Sequence, residues 1–270
     1  MIESNDFLCP VCGKPLAKTG KSLLCEAGHC YDVAKAGYVN LLLVGKKNSV
    51  DPGDNKEMIR ARSIVMAKGY YEPLARHIAG VLKKANCKKI LDAGCGTGYI
   101  CGRIKNLLTE TTVFGTDISK SAIEYAAKTY KDVNFAVASS IDTPFESGTF
   151  DAVLCAFAPA YEKEFARVGK ENALFIRVTP AKEHLFGLKS YLYDEPRYNE
   201  KDETLFDGYD LVSDETVRGE FTGDGNEMTA LIQMTPYYYH TSAEKLKRLE
   251  KIDTLTTNTA FDVRVFKKKG

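Results

Sequence analysis

The sequence contains no tryptophan, and no apolar run approaches the length of a membrane span. The opening residues, Met1-Ile2-Glu3-Ser4-Asn5-Asp6, are acidic and polar, so no signal peptide is expected and a cytoplasmic protein is. Net charge is also nearly absent. With 37 Lys and Arg against 36 Asp and Glu the formal charge is +1, and bulk charge points to no polyanion partner. Any nucleic-acid contact must come from a local basic patch. What remains is an ordinary globular composition, 44% hydrophobic and 27% charged over 270 residues. That length allows one large domain or two smaller ones.

Cysteine is not scarce, and its placement is uneven. Eight cysteines without a secretion signal favour metal binding or buried thiols over disulfides. Cys9-Pro10-Val11-Cys12 is a Cys-x2-Cys knuckle, followed after twelve residues by Cys25 and then by His29. The pattern Cys-x2-Cys-x12-Cys-x3-His suits a tetrahedral Cys3His zinc site. Leu8, Leu16, Leu23 and Leu24 are too few to form a core, so the segment needs a metal staple. Cys30 competes with His29 for the fourth position, and His29 gives the more compact knuckle. Lys14, Lys18, Lys21, Lys35, Lys46 and Lys47, interleaved with Tyr31 and Tyr38, suit phosphate contact plus base stacking. A solvated lysine face is the plainer reading of the same residues.

The polar stretch 46–55 carries Pro52-Gly53 and reads as a linker or loop. A helix is expected from about Lys56, with Asp54 or Asn55 as its cap and Met58, Ala61, Val65 and Met66 on its apolar side. A second helix is expected from Pro73 to about Ala85, after a break at Gly69-Tyr70-Tyr71.

The organising stretch is Ile90-Leu91-Asp92-Ala93-Gly94-Cys95-Gly96-Thr97-Gly98-Tyr99. It reads as a short buried strand, a glycine turn and a helix start. Glycine is needed where a ligand must approach the backbone, and helix-start amides can face a polar ligand. The spacing Gly-x-Gly-x-Gly after an acid differs from the dinucleotide fingerprint and resembles motif I of S-adenosylmethionine-dependent methyltransferases. Further strands are expected at 112–119, 134–138, 150–157 and 173–178, alternating with helices. That alternation is the signature of a mostly parallel sheet covered on both faces. Asp117, nineteen residues after Gly98, ends the second strand, where an acid accepts ribose hydroxyls. Residues 139–142 and 157–159 fall at the same ligand edge. Residues 197–226 are charged and glycine-containing and fit either helices or edge strands, 227–234 reads as a helix, and 262–267 as a last strand.

Taken together, these motifs resemble the RlmA-type 23S rRNA (guanine-N1)-methyltransferases over almost the full length. The markers are the Cys9/Cys12/Cys25/His29 knuckle, 32–42, Asp51-Pro52-Gly53-Asp54, 69–74, the glycine loop, Ala158-Pro159, His184-Leu185 and Gln233-Met234-Thr235-Pro236. The resemblance implies a Rossmann-like class I S-adenosylmethionine sheet domain at 88–270. It also implies a small zinc-binding, RNA-recognising module at 1–45, with linker and lead-in helices at 46–87. It implies transfer of a methyl group to guanine N1 in a hairpin of 23S rRNA, and a possible homodimer. By position, Cys9, Cys12, Cys25 and His29 match the family's zinc ligands. Tyr71, Gly96, Thr97 and His184 match its cofactor contacts, beside Asp92, Gly94, Gly98 and Asp117 of the general fold. Many members carry an acid just after the third strand, where this chain has Ser139-Ser140 and reaches Asp142 only later.

Guanine N1 must lose a proton, and Asp32, Asp142, Asp151 and His184 are the candidate bases. Tyr31, Tyr38, Phe157 and Tyr161 are candidates to stack on a base drawn out of the RNA. Two other functions fit parts of the pattern. One is a small-molecule methyltransferase, in which the zinc module is a lid without RNA affinity. The other is a zinc-dependent RNA-binding protein with a vestigial cofactor site, against which the intact glycine loop argues.

Overall fold

The computed structural model describes residues 6–43 and 56–269. Lys46, Lys47, the Asp51-to-Asp54 motif and the expected caps Asp54 and Asn55 lie outside the described residues.

The chain begins with β1 (Ala17–Thr19), β2 (Ser22–Leu24) and β3 (Cys30–Asp32), which form a small antiparallel sheet. Within these strands only Leu23 is fully buried, so the sheet has almost no core of its own. β4 (Tyr38–Asn40) then leaves this module and joins the main sheet, running parallel to β7 (Asn134–Val137). Nothing in the local sequence announces that pairing. Phe7 is fully buried against Phe114 and Phe145, with ring centroids 5.6 and 5.2 Å away. Burying a phenylalanine this fully contributes about 1.5–3 kcal/mol. The Leu8 amide donates to the Pro144 carbonyl at 2.8 Å, and the Leu41 amide to Val137 at 2.9 Å. The N-terminal module is therefore seated on the main sheet by packing and by backbone hydrogen bonds.

Two helices follow. α1 (Lys56–Ala67) starts at the expected residue and buries Ile59, Ala61, Val65 and Met66, with Ile59 taking the place expected for Met58. α2 (Glu72–Lys84) has Pro in its first turn and buries Leu74, Ala75, Ile78, Ala79 and Leu82 along one stripe.

The main sheet also contains β5 (Lys89–Ala93), β6 (Thr112–Asp117), β8 (Phe150–Ala156), β9 (Gly169–Pro180), β10 (Tyr209–Gly223) and β11 (Leu255–Lys268). The order is β10-β11-β9-β8-β5-β6-β7-β4, parallel from β9 to β4, with β11 antiparallel to both its neighbours. Ile90 packs into one core layer with Leu82, Ile104 and Leu154, while Leu91 packs into the other with Phe114, Val153 and Phe175. Successive strand residues thus serve opposite faces, as a doubly covered sheet requires. The connecting helices are α3 (Tyr99–Leu107), α4 (Lys120–Thr129) and α5 (Glu162–Val168). Ser119 caps α4 by accepting the Ala122 amide at 3.2 Å, as its position predicts.

The stretch 197–226, which the sequence leaves open between helices and edge strands, contains all of β10, an edge strand. Its solvent-facing charges hide the strand pattern. The last strand is also longer than expected, covering Leu255–Lys268 rather than 262–267. α6 (Phe186–Leu192), α7 (Gly225–Gln233), a short 3-10 helix at Pro236–His240 and α8 (Ala243–Glu250) complete the chain. No helix among the described residues is long and apolar enough to cross a membrane.

Because β5 lies between β6 and β8, the chain leaves it toward one side and returns on the other. This is the switch point where ligands bind in such sheets, beyond the carboxyl ends of the strands.

Candidate functional site

At that switch point a cavity of about 310 Å³ opens between the glycine loop and the turn after β8. Tyr71, Asp92, Gly94, Gly96, Thr97 and Asp117 line it, together with Ser139, Phe157 and Tyr161. Gly94 holds φ +85°, and a Cβ there would stand 2.6 Å from the Ala158 Cβ. Only glycine permits that approach. Gly96 has open space on its Cβ side, which leaves its backbone accessible. Its amide donates to Asp117 Oδ2 at 2.9 Å, and Oδ1 accepts the Ser119 amide at 2.8 Å. A carboxylate at the end of the second strand, facing the cavity, suits ribose hydroxyl donors. Gly98 caps α3 and packs beside Phe135 and Ala126 without lining the cavity.

Asp92 is 2% exposed. The Cys101 thiol donates to its Oδ2 at 3.1 Å, while Oδ1 is buried and has no hydrogen-bond partner among the described residues. Burial, with the Asp117 charge nearby, raises its carboxyl to about 7. A buried, unsatisfied carboxylate oxygen at a cavity wall suits a cationic ligand. S-adenosylmethionine carries two cationic centres, so the residues present fit it.

His184 follows β9 and does not line the cavity. Its Nδ1 accepts the Ala260 amide at 3.2 Å, and its Nε2 lies 3.1 Å from the Tyr70 hydroxyl. Nδ1 as acceptor puts the proton on Nε2. Burial holds the ring neutral, lowering its pKa to about 4. It packs on Phe261, whose ring centroid is 5.4 Å from that of Tyr71. His184 therefore stands behind the cavity wall, backing the Tyr70-Tyr71 pair.

Among the other candidate bases, Asp151 sits at the opposite end of the sheet. Its Oδ2 accepts the Lys88 and Lys89 amides, both at 2.8 Å, and Lys170 Nζ donates to Oδ1 at 2.7 Å. Asp32 is exposed in the N-terminal module and accepts from Ser22 at 2.8 Å. Asp142 lines a crevice of about 190 Å³ that shares Ser139 with the main cavity. Of the four candidate stacking residues, Phe157 and Tyr161 line the cavity and Tyr38 is buried in the core. Tyr31 is engaged at Cys9, with its hydroxyl 3.3 Å from the Sγ.

Cys9, Cys12, Cys25 and His29 bring their donor atoms within 4.8 Å of one another. Cys12 Sγ lies 3.7 Å from Cys25 Sγ, and His29 Nδ1 is 3.5 Å from Cys9 Sγ and 3.4 Å from Cys25 Sγ. Such edges suit a tetrahedron with Zn–S near about 2.3 Å and Zn–N near about 2.0 Å. Cys30 opens β3 and is outside this group. Burial opposes ionisation of the Cys9 thiol, but hydrogen bonds from Tyr31 and the Cys12 and Val11 amides prevail, lowering it to about 6. The arrangement can hold a zinc ion.

A model of the RlmA N-terminal zinc ribbon matches residues 7–50, and a methyltransferase-domain model matches 90–173. The 23S rRNA (guanine(748)-N(1))-methyltransferase of Streptomyces fradiae is 30% identical over 273 residues, 94% of this chain and 95% of that one. The chain belongs to the RlmA-type 23S rRNA (guanine-N1)-methyltransferase family. YxjB of Bacillus subtilis is likewise 30% identical over 98% of both chains, and a Micromonospora griseorubida relative is 30% identical over 88% of each. The protein is a methyltransferase that uses S-adenosylmethionine, with zinc in its ribbon. Within this RlmA-type chain, the crevice between the knuckle and the 138–145 loop has one lining residue, Ser139, in common with the larger cavity. Cys9 and Pro10 line one side, Asp142 and Thr143 the other.

Proposed function

We propose that the protein transfers a methyl group from S-adenosylmethionine to N1 of one guanine in a hairpin of 23S rRNA. Cys9, Cys12, Cys25 and His29 hold zinc. Tyr71, Asp92, Gly94, Gly96, Thr97 and Asp117 hold the cofactor, with Gly98 and His184 supporting them from behind. The observation that carries this reading is the pairing in one chain of a Cys3His cluster with a methyltransferase-type cavity, the crevice beside the knuckle and that cavity both being lined by Ser139. The exposed Lys18, Lys21 and Lys35, beside a Lys14 that pairs with Glu26 at 3.1 Å, supply the local positive charge that the net charge lacks.

When bound, the cofactor supplies a methyl group already activated on a sulfonium. The protein's task is then positioning. Asp117 and the Gly96 backbone set the nucleoside end, and the Asp92 carboxylate faces the cationic end. Phe157 and Tyr161 receive the guanine ring and exclude water from one face. Asp142, in the neighbouring crevice, takes the N1 proton. A homodimer placing two zinc modules around one RNA belongs to the same reading, and gel filtration at several concentrations tests it.

Primer extension on an unmodified 23S rRNA hairpin tests the acceptor, because a methyl on guanine N1 blocks reverse transcription. One cofactor-dependent stop is expected. Methyl transfer to small acceptors but never to RNA would favour the small-molecule reading instead.

A further inference from the structure

The turn after β8 holds an aromatic residue in a conformation it rarely adopts. Phe157 has φ +58°, and its ring stacks on Tyr71 at 5.4 Å with 18° between planes. A non-glycine residue stays in the left-handed region only when its surroundings impose it. Three hydrogen bonds do so. The Phe157 amide donates to the Val178 carbonyl at 3.1 Å, and the Cys155 thiol donates to the Ala158 carbonyl at 3.2 Å. The third comes from Arg177 Nη1, which donates to the same Ala158 carbonyl.

Arg177 interrupts the apolar run of β9, where it pairs with Cys155 of β8. Its side chain is only 17% exposed and does not line the cavity. Its Nε donates to Asp202 Oδ2 at 3.3 Å. Asp202 is held in turn: its Oδ1 accepts the Thr204 amide at 3.0 Å, and its carbonyl accepts from Arg264 Nη1 at 3.0 Å. Ala158 is thus fixed from behind by a braced guanidinium and from the front by Gly94, where no side chain would fit.

We propose that Arg177 is a positioning residue for methyl transfer. It sets the 157–161 turn, and with it the rings of Phe157 and Tyr161, against the glycine loop without itself touching base or cofactor. The inference rests on the reading above that this turn receives the guanine. Arg177→Met keeps length and removes every donor, while Asp202→Asn keeps Arg177 and removes the charge that orients it.

The test measures S-adenosylhomocysteine affinity by calorimetry, the single-turnover rate at saturating RNA and cofactor, and amide hydrogen exchange across 156–161. In Arg177→Met, cofactor affinity should stay close to wild type while the rate falls about 100-fold, the scale of a misplaced reacting group. Exchange should quicken at 156–161 and stay unchanged at 94–98. Asp202→Asn should show the same split more weakly. A folded Arg177→Met with wild-type rate and exchange overturns the proposal, as does a parallel loss of cofactor affinity and rate, which marks a general structural role. If Arg177→Met does not fold, an Asp202→Asn variant with unchanged rate and exchange overturns it. A wild-type protein inert on RNA defeats the functional reading instead, and hydrogen exchange still decides whether Arg177 anchors the turn.

Discussion

The Asp117 carboxylate at the end of β6 accepts the Gly96 amide of the glycine loop at 2.9 Å. One side chain therefore fixes the loop and also faces the cavity it borders. Hydrogen bonds to a charged group are worth about 1.5–3 kcal/mol each, so Asp117→Ala should weaken S-adenosylhomocysteine binding about 10- to 100-fold. Calorimetry reads this directly, and an unchanged affinity would remove Asp117 from the cofactor site.

Asp92 gives the cofactor site a pH dependence. Burial raises its carboxyl to about 7, against about 4 for an ordinary aspartate. A raised carboxyl stabilises the fold in its protonated form. That contribution is fully present below pH about 4 and is lost as pH climbs toward about 7. Cofactor binding should run the other way, because a cationic ligand favours the ionised form. Affinity should fall as pH drops below about 7, by up to about tenfold per unit. Asp92→Asn should bind weakly at every pH with a flat profile, and a wild-type profile flat from pH 6 to 8 would contradict the assignment.

The metal assignment separates two neighbouring residues. Cys12→Ala should lose bound zinc and destabilise the N-terminal module, whereas Cys30→Ala should retain one zinc per chain. Metal analysis of the purified proteins distinguishes them. Full retention in Cys12→Ala, or loss in Cys30→Ala, would refute the ligand set.

The candidate bases are separated by their place in the sheet. Asp142→Asn should slow methyl transfer about 100- to 10,000-fold with cofactor affinity unchanged, the usual range for a lost general base. Asp151→Asn, at the far end of β8, should leave the rate intact and lower only stability, since it breaks contacts to Lys88, Lys89 and Lys170. Equal rates in wild type and Asp142→Asn would exclude Asp142.

The core of the site was legible because its signals are local. Ile90-Leu91 alternates between two core layers, Gly94 and Gly96 answer to steric limits, and Asp117 ends a strand. The knuckle was legible because metal geometry constrains spacing. β10 was not, because Asp210, Asp214, Glu215, Arg218 and Glu220 interrupt its apolar pattern on an edge strand. The β4–β7 pairing was not legible either, because three residues carry no register signal of their own. The placement of His184 was not legible, because only the fold packs it against Tyr70 and Phe261 rather than along the cavity. Arg177 did leave a trace, a lone charge inside the apolar run 173–178, but its partner Asp202 lies twenty-five residues away in an irregular segment.

Nucleoside mass spectrometry of 23S rRNA, after incubation with the protein and S-adenosylmethionine, tests the central claim most directly. One 1-methylguanosine per rRNA is expected, absent on omission of cofactor and reduced in Asp117→Ala at cofactor concentrations that saturate only the wild type. A zinc-loaded, cofactor-binding preparation that leaves guanine unmethylated, or methylates another atom of it, would contradict the proposed function.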